Sequence, residues 1–292
     1  MLTLRDGIVE LYKKVATSIP KDIEDALKKA LSSETDPYAQ ESLNKILSNI
    51  INARTTPRLV CKDSGFPVFF VKVPKGLSHQ HIKEVIIEAT RMATVKIPLT
   101  PNAVDIITGQ NSGDNIGEYF PLIYLEETEE HSLIIDLMLR GGNCENLGFT
   151  YNLPTQLHFE GHRDRKHNTL FAEQDFTGVT NCVLSTVIKA HGKGCPPYTI
   201  GIALGGARDQ VAFLAKKQLL RKINDTHSNT VIAQLEDSLL KEVNSLHEHI
   251  IGFQGKIVAI GAKVGLAHRH PESYFVDVSL SCWANRRGRL IW

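Results

Sequence analysis

The sequence predicts an α+β fold in which a helical N-terminal region is followed by a mixed sheet with flanking helices. Apolar residues recur at helical spacing through residues 1–56. Beyond that point, β-branched and aromatic runs are separated by Gly/Pro/Asn-rich turns and by further helical patterns. Because helices come first and strands follow, we predict one domain over residues 1–292, with a helical part at 1–56 and an α+β part at 57–292.

The N-terminal part contains two amphipathic patterns. Apolar residues share one helical face over residues 22–31, just after Pro20, and again over residues 38–53. The run V-F-F-V-K-V at 68–73 is typical of a buried strand, and Pro74-Lys75-Gly76 forms a turn after it. Helical periodicity then returns over residues 79–93.

The rest of the chain alternates between turns, strands and helices. The predicted elements are loops at 98–102 and 109–117, strands at 131–139, 198–206, 256–260 and 276–280, helices at 176–190, 207–221 and 230–246, and a basic tail at 286–289. The helix at 176–190 is expected to end at His191-Gly192, where glycine suits the C-cap. A polar, His/Arg-rich insert at 158–166 is expected to be an exposed excursion.

Composition excludes several function classes. The chain has 292 residues, and its 33 Lys+Arg against 32 Asp+Glu give a formal net charge of +1, which does not favour a nucleic-acid partner. Arg5 and Asp6 interrupt the N-terminus too early for the apolar core of a signal peptide. No unbroken apolar run reaches membrane-spanning length. We therefore expect a cytoplasmic protein without a membrane or nucleic-acid partner.

The five cysteines are odd in number, scattered, and never spaced as CxxC, so neither a disulfide framework nor a zinc ribbon is expected. Cys61, Cys195 and Cys282 lie at strand–loop junctions beside Gly, Pro or polar residues, where preorganised loops could hold a metal group. Cys182 lies in a helical core pattern and is interpreted as a packing residue. The sequence does not decide between a structural and a functional role for Cys144. Each cysteine taken alone is more simply a buried apolar residue.

Five short motifs occur in one order along the chain. They are C-K-D-S-G from Cys61, N-S-G-D-N from Asn111, R-G-G-N-C-E from Arg140, G-C-P-P from Gly194 and S-C-W-A-N-R-R from Ser281. This order resembles the α-subunit, or N-terminal half, of the class I iron–sulfur hydro-lyases, the class I fumarases and L-tartrate dehydratases. That family carries C-Q-D-T-G, N-T-G-x-N, G-G-G-[SC], A-C-P-P and C-W-A-x-R-R. The resemblance extends from about residue 15 to the C-terminus.

The resemblance implies a cofactor and a reaction. Cys61, Cys195 and Cys282 would be the three ligands of a [4Fe–4S] cluster that keeps one iron without a protein ligand. Such an iron acts as a Lewis acid on a substrate hydroxyl and carboxylate. The implied reaction is reversible dehydration of a small 2-hydroxy dicarboxylate such as malate or tartrate, with fumarate as the product of malate. An oxygen-sensitive cluster, a separate β-subunit that completes the site, and a dimer of α-subunits are also expected.

The resemblance also assigns roles to individual residues. Asp63 and His270 would be catalytic, and Lys62, Gly141, Gly142 and Arg286 would bind substrate. All of these except Lys62 have a simpler interpretation: a surface carboxylate for Asp63, a solvated turn for His270, a tight turn for the glycines, and a solvated basic end for Arg286 with Arg287.

Four departures from the family pattern bear on substrate. Lys62 stands where the family has Gln, and Thr100 stands where the family's P-L-R-x-N has an Arg that binds a substrate carboxylate. Threonine cannot form the bidentate pair that arginine forms, so Lys62 could supply the missing charge. The insert at 158–166 is longer than in the family, and Cys144 stands where fumarase-like members have Ser and tartrate-dehydratase-like members have Cys. The alternatives are a paralogue that binds an iron–sulfur cluster or a ligand without catalysis, and an α+β protein whose cysteines are all structural.

Overall fold

The computed structural model describes residues 3–56, 58–154, 176–190, 193–246 and 255–292. In chain order its elements are α1 (Leu4–Thr17), α2 (Lys21–Ser33), α3 (Pro37–Thr55), β1 (Phe66–Pro74), α4 (His79–Lys96), β2 (Leu122–Thr128), β3 (Ile134–Arg140), α5 (Gly142–Asn146), β4 (Phe149–Asn152), α6 (Thr177–Lys189), β5 (Tyr198–Leu204), α7 (Arg208–Gln218), α8 (Thr230–Asn244), β6 (Ala259–Leu266), β7 (Phe275–Ser281) and β8 (Arg286–Ile291). The chain divides into two compact units. Unit 1 comprises Met1–Lys21, Ile46–Gly142 and Ala284–Trp292, and unit 2 comprises Asp22–Lys45 and Asn143–Trp283.

Unit 1 is a four-stranded mixed sheet in the order β2-β1-β3-β8. The β1–β2 pair is parallel, and the β1–β3 and β3–β8 pairs are antiparallel. Helices α1 and α4 contribute to one apolar core with this sheet. The buried hydroxyl of Tyr12 on α1 hydrogen-bonds Thr90 on α4 over 2.7 Å. Thr3 and Ser78 cap the two helices by accepting first-turn backbone N–H groups, which satisfies donors that a helix start leaves open.

Unit 2 contains the second four-stranded sheet, in the order β4-β7-β5-β6. Here β5–β6 is parallel, whereas β4–β7 and β5–β7 are antiparallel. Residues of α6, α8 and all four strands form its main apolar core. Helix α2 is held in this unit because Asp22 and Glu34 accept the backbone N–H groups of Ile223 and Lys256.

The two sheets repeat one strand arrangement. In each, a strand leads through a helical crossover to a parallel neighbour, and a third strand returns antiparallel on the other side of the first strand. The fourth strand of each sheet follows the third strand of the other sheet in the chain: β4 follows β3 but pairs with β7, and β8 follows β7 but pairs with β3. Because the third strand is antiparallel to the first, the loop before the first strand and the residues after the third strand lie at the same end of each sheet.

The helices and mixed sheets confirm the predicted α+β class, whereas the single-domain organisation stays a prediction. The predicted helices appear as α2, α3, α4, α6, α7 and α8, and four predicted strands appear as β1, β3, β5 and β7. The strands β2 and β4 were not predicted. The insert at 158–166 and the predicted helix end at His191-Gly192 lie outside the described residues.

Two C-terminal predictions differ from the structure. The strand predicted at 256–260 is β6 at Ala259–Leu266, because the buried Lys263 and two glycines obscure its apolar pattern. The Lys263 ammonium is 2.9 Å from Asp225, which makes its burial tolerable. The basic tail predicted at 286–289 is part of strand β8. Within this strand Arg286 is buried, whereas Arg289 is exposed.

Candidate functional site

Asp63 is held by two backbone donors at one end of the unit 1 sheet. Its Oδ1 accepts the N–H of Gly65 over 2.8 Å, and its Oδ2 accepts the N–H of Gly142 over 2.9 Å. The first bond is a local turn, and the second joins the loop before β1 to the segment after β3. The carboxylate is therefore exposed yet fixed in orientation.

Gly65 makes this approach of two chain segments possible. Its φ is +75°, and a Cβ at this position would lie 2.6 Å from the carbonyl oxygen of Arg140. Any other L-residue would be strained in backbone conformation and would also collide with β3. The glycine of the C-K-D-S-G motif is thus required by the fold of the loop.

A polar network joins the same loop to the segment around Thr100. Ser64 Oγ accepts the Thr100 N–H over 2.9 Å, and Asn102 Nδ2 donates to the Gly65 carbonyl over 2.7 Å. Asn115, whose φ is +59°, accepts the Asn102 N–H over 2.7 Å. The first two sequence motifs therefore form one hydrogen-bonded structure in unit 1.

The pairing of β1, β3 and β8 places most of the predicted site residues of unit 1 at one end of the sheet. Phe66 at the start of β1 is opposite Arg140, the last residue of β3, and Arg286 at the start of β8 is opposite Leu139. The loop over residues 61–65, the glycines at 141 and 142, and Arg286 consequently lie at the same end of this sheet.

Arg286 is a buried charge. The residue is 2% exposed, and neither Nε nor Nη1 has a hydrogen-bond partner among the described residues. A buried guanidinium without an acceptor is costly, because its desolvation is not compensated. Such a group is suited to receive an anion at this end of the sheet.

Lys62 and Thr100 are in contact through the backbone. The Thr100 hydroxyl donates to the Lys62 carbonyl over 3.4 Å, and both side chains are exposed. Within the described part of the chain, the Lys62 ammonium makes no ion pair. The two positions at which the sequence departs from the family pattern are thus neighbours.

In unit 2, Cys195 and Cys282 lie at the same end of neighbouring strands. Cys195 precedes β5 and Cys282 follows β7, and Thr199 is opposite Ser281 in this antiparallel pair. The N–H of Trp283 donates to the Cys195 carbonyl over 3.2 Å, which fastens the two cysteine segments together. Cys195 is exposed and Cys282 is half-buried.

His270 lies at the other end of the unit 2 sheet. The loop between β6 and β7 follows Leu266, which is opposite Leu204 at the end of β5. The five residue steps from Thr199 to Leu204 span about 17 Å of strand. His270 Nδ1 accepts the Glu272 N–H over 3.2 Å, so a neutral ring carries its proton on Nε2. The structure does not bring His270 together with Cys195 and Cys282, and its catalytic role stays a prediction.

The remaining cysteines have different environments. Cys182 is fully buried in α6, and desolvation raises its pKa to about 12, as expected for packing. Cys144 is buried in α5, and Leu147, just after this helix, lies against Gly194. The α5 segment therefore packs beside the Cys195 segment, which its sequence position alone did not indicate.

A comparison with known protein families gives a match along almost the whole chain. The family model described as "Fumarate hydratase (Fumerase)" matches residues 5–290. The chain belongs to the fumarate hydratase family. The resemblance inferred from five short motifs is thereby confirmed.

Relatives within the fumarate hydratase family have two kinds of name. A Geobacillus stearothermophilus protein named "Putative fumarate hydratase class I" is 38% identical over 98% of this chain and 54% of its own length. A Methanocaldococcus jannaschii protein named "Putative L(+)-tartrate dehydratase subunit alpha" is 33% identical over 98% of this chain and 96% of its own. The "L(+)-tartrate dehydratase subunit alpha" of Escherichia coli K12 is 28% identical over 99% and 90%. These names are those of hydro-lyases. The chain spans about half of the first relative and nearly all of the other two.

The three cysteines that the resemblance assigns to a cluster are more exposed than Cys182. No three His, Cys, Asp or Glu side chains within the described ranges are grouped to hold one metal ion. In an iron–sulfur cluster each thiolate binds its own iron, so the thiols need not converge on one point. Exposed Cys195 and half-buried Cys61 and Cys282 are accessible soft ligands, unlike buried Cys182.

Sequence reasoning missed several residues of this region. Arg140 is buried at the end of β3, and Ser64 and Asn102 anchor the Asp63 loop. Ser64 and Arg140 lay inside quoted motifs, but only the strand register shows that Arg140 adjoins Gly65. Among the helices that the structure describes, none is long and apolar enough to cross a bilayer.

Proposed function

We propose that this chain is the α-subunit of a [4Fe–4S]-dependent hydro-lyase that reversibly dehydrates a small 2-hydroxy dicarboxylate such as malate or tartrate. Membership of the fumarate hydratase family supports the reaction class. The observation that carries the proposal further is the buried guanidinium of Arg286, whose Nε and Nη1 have no hydrogen-bond partner among the described residues. It lies at the end of the sheet where Asp63 is fixed on Gly142. A substrate carboxylate would accept hydrogen bonds from the Nε and Nη1 groups of Arg286.

We propose Cys61, Cys195 and Cys282 as the ligands of the cluster. When bound, the cluster supplies an iron without a protein ligand, which acts as a Lewis acid on the substrate hydroxyl. Cys195 and Cys282 suit this role because one backbone hydrogen bond already joins their segments. Cys61 suits it because its loop is anchored through Ser64 and Asn102.

Asp63 has the geometry of an acid–base group. Its two oxygens are oriented by the N–H groups of Gly65 and Gly142, and each keeps a lone pair that can accept a proton. Gly142 in this role positions Asp63, while the N–H of Gly141 is proposed to approach a substrate carboxylate. His270 is proposed to contact substrate on the resemblance alone.

Lys62 is proposed to replace the arginine that the family has at position 100. Lys62 is exposed, and its ammonium forms no ion pair among the described residues. Its backbone carbonyl accepts a hydrogen bond from the Thr100 hydroxyl. A lysine here gives a point charge rather than a bidentate clamp, so the substrate carboxylate would be held with less directional preference.

A separate β-subunit is proposed to complete the site. Two relatives of nearly the same length carry "subunit alpha" in their names, whereas the Geobacillus stearothermophilus relative is almost twice as long. A dimer of α-subunits and a cytoplasmic location belong to the same proposal.

The test is an assay of the reconstituted heteromer. The chain is co-expressed with a partner related to the part of the Geobacillus stearothermophilus protein outside the match, loaded anaerobically with iron and sulfide, and given malate, fumarate and the tartrates. Turnover of at least one is expected, and only with both subunits present.

The second candidate is a paralogue that binds a cluster or ligand without catalysis, which the loss of arginine at position 100 favours. Cluster uptake and subunit association with no turnover of any of these acids would support that candidate and overturn the enzyme.

A further inference from the structure

Tyr198 has its hydroxyl beside the cysteine segments of unit 2. It is the first residue of β5, is 3% exposed, and has a ring that belongs to the unit 2 core. Its backbone N–H donates to the Val258 carbonyl over 2.8 Å, so its Cα is fixed relative to the sheet. The hydroxyl position is therefore determined by a rigid element rather than by a loop.

Gly194 shows where this hydroxyl lies. A Cβ on Gly194 would be 2.4 Å from Tyr198 Oη and 2.9 Å from its Cε1. Real side chains do not approach so closely, so the phenol occupies the space that a side chain at position 194 would take. The hydroxyl thus rests against the residue immediately before Cys195.

The segments of two proposed cluster ligands meet beside this hydroxyl. The Trp283 N–H bond to the Cys195 carbonyl holds the Cys282 segment against the Cys195 segment, which begins next to Gly194. A phenol carries its proton at neutral pH and can donate it to a sulfur.

The Tyr198 hydroxyl forms no side-chain hydrogen bond with the described residues, so its proton can be donated to a further acceptor. We propose that Tyr198 is a positioning residue that donates a hydrogen bond to the Cys195 sulfur when Cys195 is bound to the iron–sulfur cluster. This inference rests on the proposed cluster.

A donor to a ligand sulfur has a measurable electronic effect. Hydrogen bonds to the sulfurs withdraw electron density from a cluster and favour its reduced state. Tyr198 would therefore raise the midpoint potential of the cluster and hold Cys195 in one orientation.

The test compares midpoint potentials of anaerobically reconstituted protein by redox titration followed by EPR. Tyr198→Phe keeps the ring and removes the donor, and its midpoint is expected to shift to a more negative value. Tyr151→Phe is the matched control in the same unit, because it removes a buried hydroxyl that bonds Thr186 instead. The control midpoint should equal that of the wild type.

A second measurement separates loss of the bond from general damage. The iron and sulfide content of Tyr198→Phe should equal that of the wild type, because the variant keeps the ring that packs in the unit 2 core. An unchanged midpoint in Tyr198→Phe with a normal wild-type cluster overturns this inference alone. A wild-type chain that takes up no cluster overturns the inference together with the proposed cluster.

Discussion

At the scale of single residues, the site depends on groups whose surroundings the sequence shows only in part. The order Cys61, Lys62, Asp63 predicted a functional loop, and the structure adds that Asp63 is fixed by Gly65 and Gly142. Arg286 was predicted either to bind substrate or to be solvated. Its burial could not be predicted, because R-R-G-R shows basic residues but not which of them faces the core of an edge strand.

Replacing Arg286 should separate stability from function. Arg286→Met keeps side-chain volume and removes an uncompensated buried charge, so the ligand-free chain should be stabilised by about 1–4 kcal/mol. Substrate binding should be lost, since the anion loses its guanidinium. Thermal unfolding and KM are the two measurements.

Arg289→Met is the control for Arg286. Arg289 is exposed and pairs with Asp136 over 2.7 Å, so its removal should cost about 1 kcal/mol or less and leave KM unchanged. An Arg286→Met chain that is less stable and has wild-type KM would contradict the proposed role.

Lys62 and Thr100 test which residue supplies the carboxylate-binding charge. Lys62→Gln restores the family residue at position 62 and removes the only proposed cation of this pair, so KM should rise about 30-fold or more, equivalent to about 2 kcal/mol. Adding Thr100→Arg should recover much of that loss, because the two positions are in contact. A KM that Lys62→Gln leaves unchanged would show that the charge comes from elsewhere.

At the scale of elements, long periodic segments were predicted well and edge strands were not. Helices such as α2 and α4 have continuous apolar faces that the spacing shows directly. Strand β2 is half-buried along most of its length, and β4 has four residues, so neither has a clear alternating pattern. The two strands are identified by their partners rather than by their own sequences.

The packing of α7 on β5 gives an element-scale prediction. A Cβ on Gly201 would lie 2.2 Å from the Ala215 carbonyl oxygen and 3.0 Å from Leu219 Cγ. Gly201→Ala should therefore separate the helix from the strand and destabilise the protein by about 1–3 kcal/mol or more. Chemical denaturation measures the change.

Gly148→Ala in the same unit provides the comparison for Gly201. Its nearest contact would be 3.4 Å, an ordinary van der Waals distance, so little change in stability is expected. Equal destabilisation by the two variants would show that close approach of α7 is not the cause.

At the scale of the whole molecule, the fold contains a repetition that the sequence does not show. No internal sequence repeat is present, yet each sheet has a parallel pair, an antiparallel third strand and a fourth strand that follows the other sheet's third strand. Strand order is decided by pairing between residues far apart in the chain, which periodicity cannot reveal. The motifs were recognisable because they occupy the ends of these strands, where backbone requirements restrict residue choice.

The central claim is that three cysteines bind one cluster, and iron uptake tests it most directly. The wild-type chain and single Cys61→Ala, Cys195→Ala, Cys282→Ala and Cys182→Ala variants are reconstituted anaerobically, and iron, sulfide and visible absorption are measured. About four irons per chain are expected for the wild type and for Cys182→Ala, whose thiol is buried, with a marked loss in the other three. A wild-type chain without broad visible absorption, or a Cys61→Ala chain with a full cluster, would contradict the claim.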